Sequence, residues 1–129
     1  MAKVPFSPAL QGARILIVED ESILAMDLEN RLTREGCEVI GLVSREARAL
    51  KLLEQERPDA VVLDLNLNGK LPTDLADALV ARQIPFVIVT GYGKRRFDIP
   101  ALQEAPRLHK PINTQELVRA VCDLVRAAD

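Results

Sequence analysis

Three short apolar runs in this chain and one short mixed run each end abruptly on residues able to do chemistry. Ile15-Leu16-Ile17-Val18 runs into Glu19-Asp20-Glu21, and Ala60-Val61-Val62-Leu63 runs into Asp64. Phe86-Val87-Ile88-Val89 is followed by Thr90-Gly91, and Arg107-Leu108-His109 by Lys110-Pro111. If folding brings these ends together, Glu19, Asp20 and Asp64 form a cluster of like charges that is costly unless a cation enters it. Hard oxygen donors in a small, partly hydrated site suit Mg²⁺. Lys110 adds a second positive charge, and the Thr90 hydroxyl can donate a hydrogen bond. Such a pocket stabilises a phosphoryl group beside Asp64, so the chemistry suggested is phosphoryl transfer onto a carboxylate.

The elements that would position these residues can be read from the apolar periodicity. The continuous runs at 15–18, 60–63 and 86–89 are those of strands buried on both faces. Val39-Ile40-Gly41-Leu42 is a second strand in chain order, and Arg107-Leu108-His109 a short fifth. Between them lie helical patterns. Leu24, Leu28 and Leu32 repeat every four residues, with Ser22 as cap and Gly36 as stop. Ser44 caps a helix carrying Ala47, Leu50 and Leu53, which ends before Pro58. A turn-rich stretch, Asn66 to Pro72, leads to Thr73 and a helix with Leu75, Ala76, Leu79 and Val80. Asn113 and Glu116 have the spacing of a capping box ahead of Leu117, Val118, Val121, Leu124 and Val125.

Strands that alternate with helices predict an α/β fold with a parallel sheet and right-handed crossovers. The uniformly apolar first, third and fourth strands belong at the centre. The second contains Glu38 and Gly41 and the fifth Arg107 and His109, so these belong at the edges. A doubly wound five-stranded sheet of order 2-1-3-4-5 satisfies both conditions. It places the four polar sets at the carboxyl ends of the strands, around the switch point where open α/β sheets bind ligands. Taken singly, each set has a structural explanation. An acidic pair can face a helix dipole, a strand-end aspartate can cap, His109 can be an ordinary edge residue and Asp59 a turn residue. Their joint order is much harder to explain that way.

The composition limits the alternatives. The chain has 129 residues, 17 Lys plus Arg against 19 Asp plus Glu, and a net charge of -2. That length fits one domain, expected over residues 13–129 behind a flexible lead-in at 1–12 that carries two of the chain's prolines. The near-neutral charge gives no electrostatic reason to expect nucleic acid, and no apolar run approaches the length of a membrane helix. Cys37 and Cys122 lie far apart in apolar settings and are expected as buried small hydrophobes in a reducing cytosol.

With these residues in place, the stretch from about Ala13 to Ala127 resembles the receiver domain of two-component response regulators. Four segments carry the likeness: Val18-Glu19-Asp20-Glu21, Val62-Leu63-Asp64-Leu65-Asn66, Val89-Thr90-Gly91-Tyr92 and His109-Lys110-Pro111. The resemblance implies a flavodoxin-like receiver fold with Asp64 as phospho-acceptor. It implies Glu19, Asp20, Asp64 and the Asn66 backbone carbonyl as the Mg²⁺ site, Thr90 as the switch hydroxyl, Lys110 as the phosphate-binding amine, and a cis Lys110-Pro111 bond. The fourth-strand segment from Ile84 to Gly93 is similar to a sub-group of mostly stand-alone receivers whose fourth strand reads Pro-Phe-x-Phe-Ala-Thr-Gly-Tyr, although Ile88 and Val89 replace the second Phe and the Ala. Such receivers are similar to partners of HWE-type histidine kinases. The implied protein is cytoplasmic. It takes a phosphoryl group from a sensor kinase or phosphotransfer protein, then signals to a downstream protein or serves as a phosphate sink, as a monomer or weak dimer.

The chain departs from the family pattern twice. Arg107 stands where receivers usually have an aromatic residue, three positions before the lysine. The stretch between Gly91 and Arg107 carries Gly93, Pro100 and Pro106, so its helix is expected to be short or irregular. This leaves the segment from Gly91 to Pro106, with Tyr92 and the basic Lys94-Arg95-Arg96, as the expected route for a conformational signal. Three rival readings are weaker. A haloacid-dehalogenase-like phosphatase needs a second aspartate where Asn66 stands. A dinucleotide fingerprint beginning at Gly91-Tyr92-Gly93 meets Arg96 where its third glycine belongs. A degenerate docking module has no need of Asp64, Thr90 and Lys110 together.

Overall fold

The computed structural model describes residues 8–91 and 100–127. Five strands, β1 (Arg14–Val18), β2 (Glu38–Val43), β3 (Ala60–Asp64), β4 (Phe86–Thr90) and β5 (Arg107–His109), form one parallel sheet of order β2-β1-β3-β4-β5. This is the expected order, and the strands with polar residues are the edges. Among the described residues four helices connect them, α1 (Ser22–Arg34), α2 (Glu46–Gln55), α3 (Thr73–Ala81) and α4 (Pro100–Glu104), and α5 (Thr114–Ala127) follows β5. The described part of α4 is five residues long, in keeping with its prolines. The lead-in expectation over residues 1–12 meets a difference at its end. Pro8–Leu10 form a 3₁₀ turn, and Leu10 is fully buried in the core.

Alternation along the central strands separates two apolar layers. Ile15 and Ile17 of β1, Val62 of β3 and Val87 and Val89 of β4 pack with Leu28 and Leu32 of α1 and Leu117 and Val121 of α5. Leu16, Val18, Val61, Leu63 and Ile88 point the other way, onto Leu53 of α2, Leu75 and Leu79 of α3 and Leu102 of α4. Both faces are covered, which is why these strands read as unbroken apolar runs. The edge strand β2 is bulged: its register against β1 slips between Ile15↔Val39 and Leu16↔Gly41. Such irregularity is common at sheet edges, where it discourages pairing with another chain. Cys37 and Cys122 are both buried and neither is in a disulfide, and burial pushes the Cys37 thiol up to about 11.

Helix ends agree with the sequence in part. Gly36 follows the C-cap of α1 at φ 96°, and a Cβ there would meet Gln11 Oε1 at 2.7 Å, so the stop needs glycine. Asn113 Oδ1 accepts the Glu116 N–H at 3.0 Å, as the capping-box spacing requires. The two serine caps are corrected. Ser22 is the first residue of α1, whose N-cap is Glu21, and Arg45 rather than Ser44 precedes α2; neither N-cap makes a side-chain bond. The first turn of α3 is capped from outside: Glu46 of α2 accepts the Leu75 N–H at 2.9 Å. Ser44 instead offers its carbonyl to the β3–α3 loop.

Candidate functional site

Parallel register sets the geometry of the carboxyl edge. Val18 pairs with Leu63 and Asp64 with Val89, so Glu19, the residue after Val18, comes level with Asp64 on the neighbouring strand. Strands about 4.8 Å apart then force the two carboxylates together. Carboxylate oxygens of Glu19, Asp20 and Asp64 lie within 4.8 Å of one another. On the other side Thr90 pairs with His109, and the Lys110 N–H donates to the Thr90 carbonyl at 2.9 Å. Lys110 Nζ lies 3.8 Å from Asp64 Oδ2 and 3.7 Å from Glu21 Oε1. The Lys110-Pro111 bond is cis.

Glu19 and Asp64 are each 3% exposed, and Thr90 is 1% exposed. Burial, with Asp64 alongside, pushes Glu19 from the usual 4.5 up to about 8. Burial also raises Asp64, against the opposing pull of neighbouring donors and Lys110. Asp20 is different. Burial would raise it, but the hydrogen bonds it accepts, the Asn68 N–H first among them, hold it below the usual aspartate value. The Asn66 N–H donates to Asp64 Oδ1 at 3.1 Å and the Glu21 N–H to Glu19 Oε2 at 3.0 Å. Glu19 Oε1 is buried and accepts no hydrogen bond among the described residues. A buried oxygen without a donor is uncommon in a finished core. Together with the all-oxygen donor set, it fits a hard divalent cation such as Mg²⁺.

Glu19, Asp20, Asp64 and Lys110 thus meet in one pocket. Thr90 is buried at the end of the neighbouring strand, and exposed Asn66 follows Asp64 by two residues. Arg107 is half-buried at the start of β5, opposite Ile88. Tyr92 and Lys94-Arg95-Arg96 lie outside the described residues. Two contributors have no role of their own in the sequence reading. Glu21 shares Lys110 with Asp64, which its place beside Glu19-Asp20 could have suggested. Asn68 donates its N–H to Asp20 Oδ2 at 3.0 Å from the tip of a tight hairpin, in which Leu67 and Lys70 exchange backbone bonds of 3.0 and 3.1 Å. Asn68-Gly69, at φ 55° and 81°, is the dipeptide that two-residue turns of this hand favour, so the signal was present.

This sheet, with its acidic pocket at the switch point, defines a class of signalling domain. Residues 15–122 match the response regulator receiver domain family, and the chain belongs to it. It is 30% identical over 111 residues to the transcriptional regulatory protein PdtaR of Mycobacterium tuberculosis, covering 84% of this chain and 54% of that protein. It is 36% identical over 87 residues to the phyllosphere-induced regulator PhyR of Methylorubrum extorquens, covering 65% of this chain and 33% of PhyR. The chain therefore spans about half the length of PdtaR and a third of PhyR. Among solved structures it resembles SdrG from Sphingomonas melonis Fr1, with 38% identity and a TM-score of 0.75 over 92% of this chain and 99% of that one.

Proposed function

We propose that this protein is a stand-alone response regulator in which Asp64 accepts a phosphoryl group from the phosphohistidine of a sensor histidine kinase, of the HWE-related type, or of a phosphotransfer protein. The observation that carries the reading is the buried Asp64 carboxylate, with Lys110 Nζ at 3.8 Å and two further carboxylates alongside. An Asp64 oxygen attacks phosphorus, the N–P bond breaks, and the donor imidazole keeps the electron pair. Lys110 balances charge on the phosphoryl oxygens, and the Thr90 hydroxyl donates to one of them. Glu19, Asp20, Asp64 and the Asn66 carbonyl are the residues that would hold Mg²⁺, which when bound neutralises the donor oxygens and the developing charge. Hydrolysis of the resulting acyl phosphate resets the domain.

The acyl phosphate then shifts the domain's conformational balance and its affinity for a downstream protein, or simply drains a shared kinase. The segment from Gly91 to Pro106 is the proposed route for that shift, since Arg107 takes the usual aromatic position. The domain is assigned to residues 13–129 together with the Pro8–Leu10 turn that buries Leu10, cytoplasmic, as a monomer or weak dimer. The likeness to SdrG, with 38% identity over 92% of this chain, supports the receiver reading. No described helix is long and apolar enough to cross a membrane. The test is transfer from an autophosphorylated HWE-type kinase. Label should reach the wild type in Mg²⁺, stop when EDTA is added, and be absent from Asp64→Asn. Equal labelling of Asp64→Asn contradicts the assignment.

A further inference from the structure

Asn68 sits outside the acidic cluster yet holds one of its members with one hand and a separate loop with the other. Its N–H donates to Asp20 Oδ2 at 3.0 Å, while its side-chain Nδ2 donates to the Ser44 carbonyl at 2.8 Å. Ser44 lies in the turn between β2 and α2. Just beyond that turn, Glu46 at the start of α2 accepts the Leu75 N–H in the first turn of α3, where the β3–α3 connection ends. The connection is therefore pinned to the β2–α2 turn at Asn68, and its far end is held where α3 meets α2. Asn68 adopts φ 55°, a conformation in which asparagine and glycine are at ease and most residues are strained.

An exposed aspartate has several rotamers. Asp20 is only partly buried, so packing alone does not fix it. A donor aimed at Oδ2 leaves the other oxygen for the pocket, and the donor stays aimed only if the hairpin is anchored. We infer that Asn68 is a positioning residue for the cation site: its side-chain bond to Ser44 holds the hairpin so that its N–H fixes the Asp20 carboxylate toward Glu19 and Asp64. The inference rests on the phospho-acceptor reading for its use of Mg²⁺. Groups that orient a metal ligand by hydrogen bonding commonly change affinity by about tenfold or more when removed.

The test uses Asn68→Gly, which tolerates the positive φ and keeps the N–H but loses the amide. Asn68→Asp is the second variant; it also tolerates this φ and replaces the donor with an acceptor. Mg²⁺ affinity is measured by calorimetry, and metal-free melting is followed in parallel. Both variants should bind Mg²⁺ about tenfold more weakly than the wild type. In an Asp20→Ala background, adding Asn68→Gly should change the remaining affinity by less than about twofold, because the effect runs through Asp20. Wild-type affinity in both single variants overturns the inference. So does an equal loss in the Asp20→Ala background, which would mark a general loosening of the fold. If the wild type itself binds no Mg²⁺, the phospho-acceptor reading fails and takes this one with it, a result distinct from the other two.

Discussion

At the amino-terminal edge of the sheet, charged groups end on groups that complement them. The Arg14 N–H donates to Asp59 at 2.8 Å and its guanidinium pairs with Glu56. Arg57 donates to the Arg82 and Gln83 carbonyls at 2.8 and 3.1 Å, beyond the end of α3, and Arg82 to the Leu53 carbonyl at 2.6 Å, near the end of α2. Cations at helix C-termini satisfy stranded carbonyls and the helix dipole together. The carboxyl edge of the same strands is different. Three carboxylates converge there, Lys110 stands at 3.8 Å, and a buried Glu19 oxygen has no donor among the described residues. Among the described residues, one edge pairs these charges within the chain, and the other brings three carboxylates together in a pocket that an added cation would suit. The difference separates residues kept for stability from residues kept for a ligand.

The largest expected effect of this contrast is on pH dependence. Glu19 is raised from 4.5 to about 8, so between these values the folded protein holds a proton that the unfolded chain has released. Without metal, stability should be greatest below about pH 4.5 from this group and fall as pH rises through about 8. The slope is at most about 1.4 kcal/mol per pH unit. Glu19→Gln should remove this slope, and urea melts in EDTA at several pH values measure it. A slope unchanged in Glu19→Gln would break the contrast.

A somewhat smaller effect is expected from Mg²⁺ itself. A ligand that binds only the folded state stabilises by about 2.7 kcal/mol at a hundredfold excess over its dissociation constant. Thermal melts with and without Mg²⁺ should show this gain in the wild type and little of it in Asp20→Ala. The smallest effect belongs to the other edge. Arg82→Ala strands the Leu53 carbonyl and should destabilise by about 1 kcal/mol, equally with and without Mg²⁺. A Mg²⁺-dependent loss in Arg82→Ala would mean that the two edges are not independent.

The central sheet and the carboxyl-edge residues were legible because buried parallel strands are continuous apolar runs, and the residue ending each run lands on one edge. Glu38, Gly41, Arg107 and His109 marked the edge strands by the same logic. The misses are tertiary. Ser22 and Ser44 have the right chemistry for caps, but α1 begins one residue earlier than a Ser22 cap requires, and Ser44 is engaged through its carbonyl by Asn68. No local pattern announces that Glu46 caps a different helix, since the Leu75 N–H it meets is 29 positions away. Leu10 looked like part of a loose lead-in because its two neighbouring prolines outweigh a single apolar residue, yet it closes the core beside α5. In the pocket, residue identity was legible, but the division of labour was not. Glu19 and Asp20 are adjacent in sequence, yet burial raises one while the Asn68 N–H holds the other down.

The most direct test of the carboxyl edge as a phospho-acceptor site is intact-mass analysis after incubation with a small phosphoryl donor such as phosphoramidate, in Mg²⁺ and in EDTA. The wild type should gain one phosphoryl group, and only in Mg²⁺. Borohydride trapping should place it on Asp64, and Asp64→Asn should gain none. Modification that persists in EDTA, or that maps to any other residue, would contradict it.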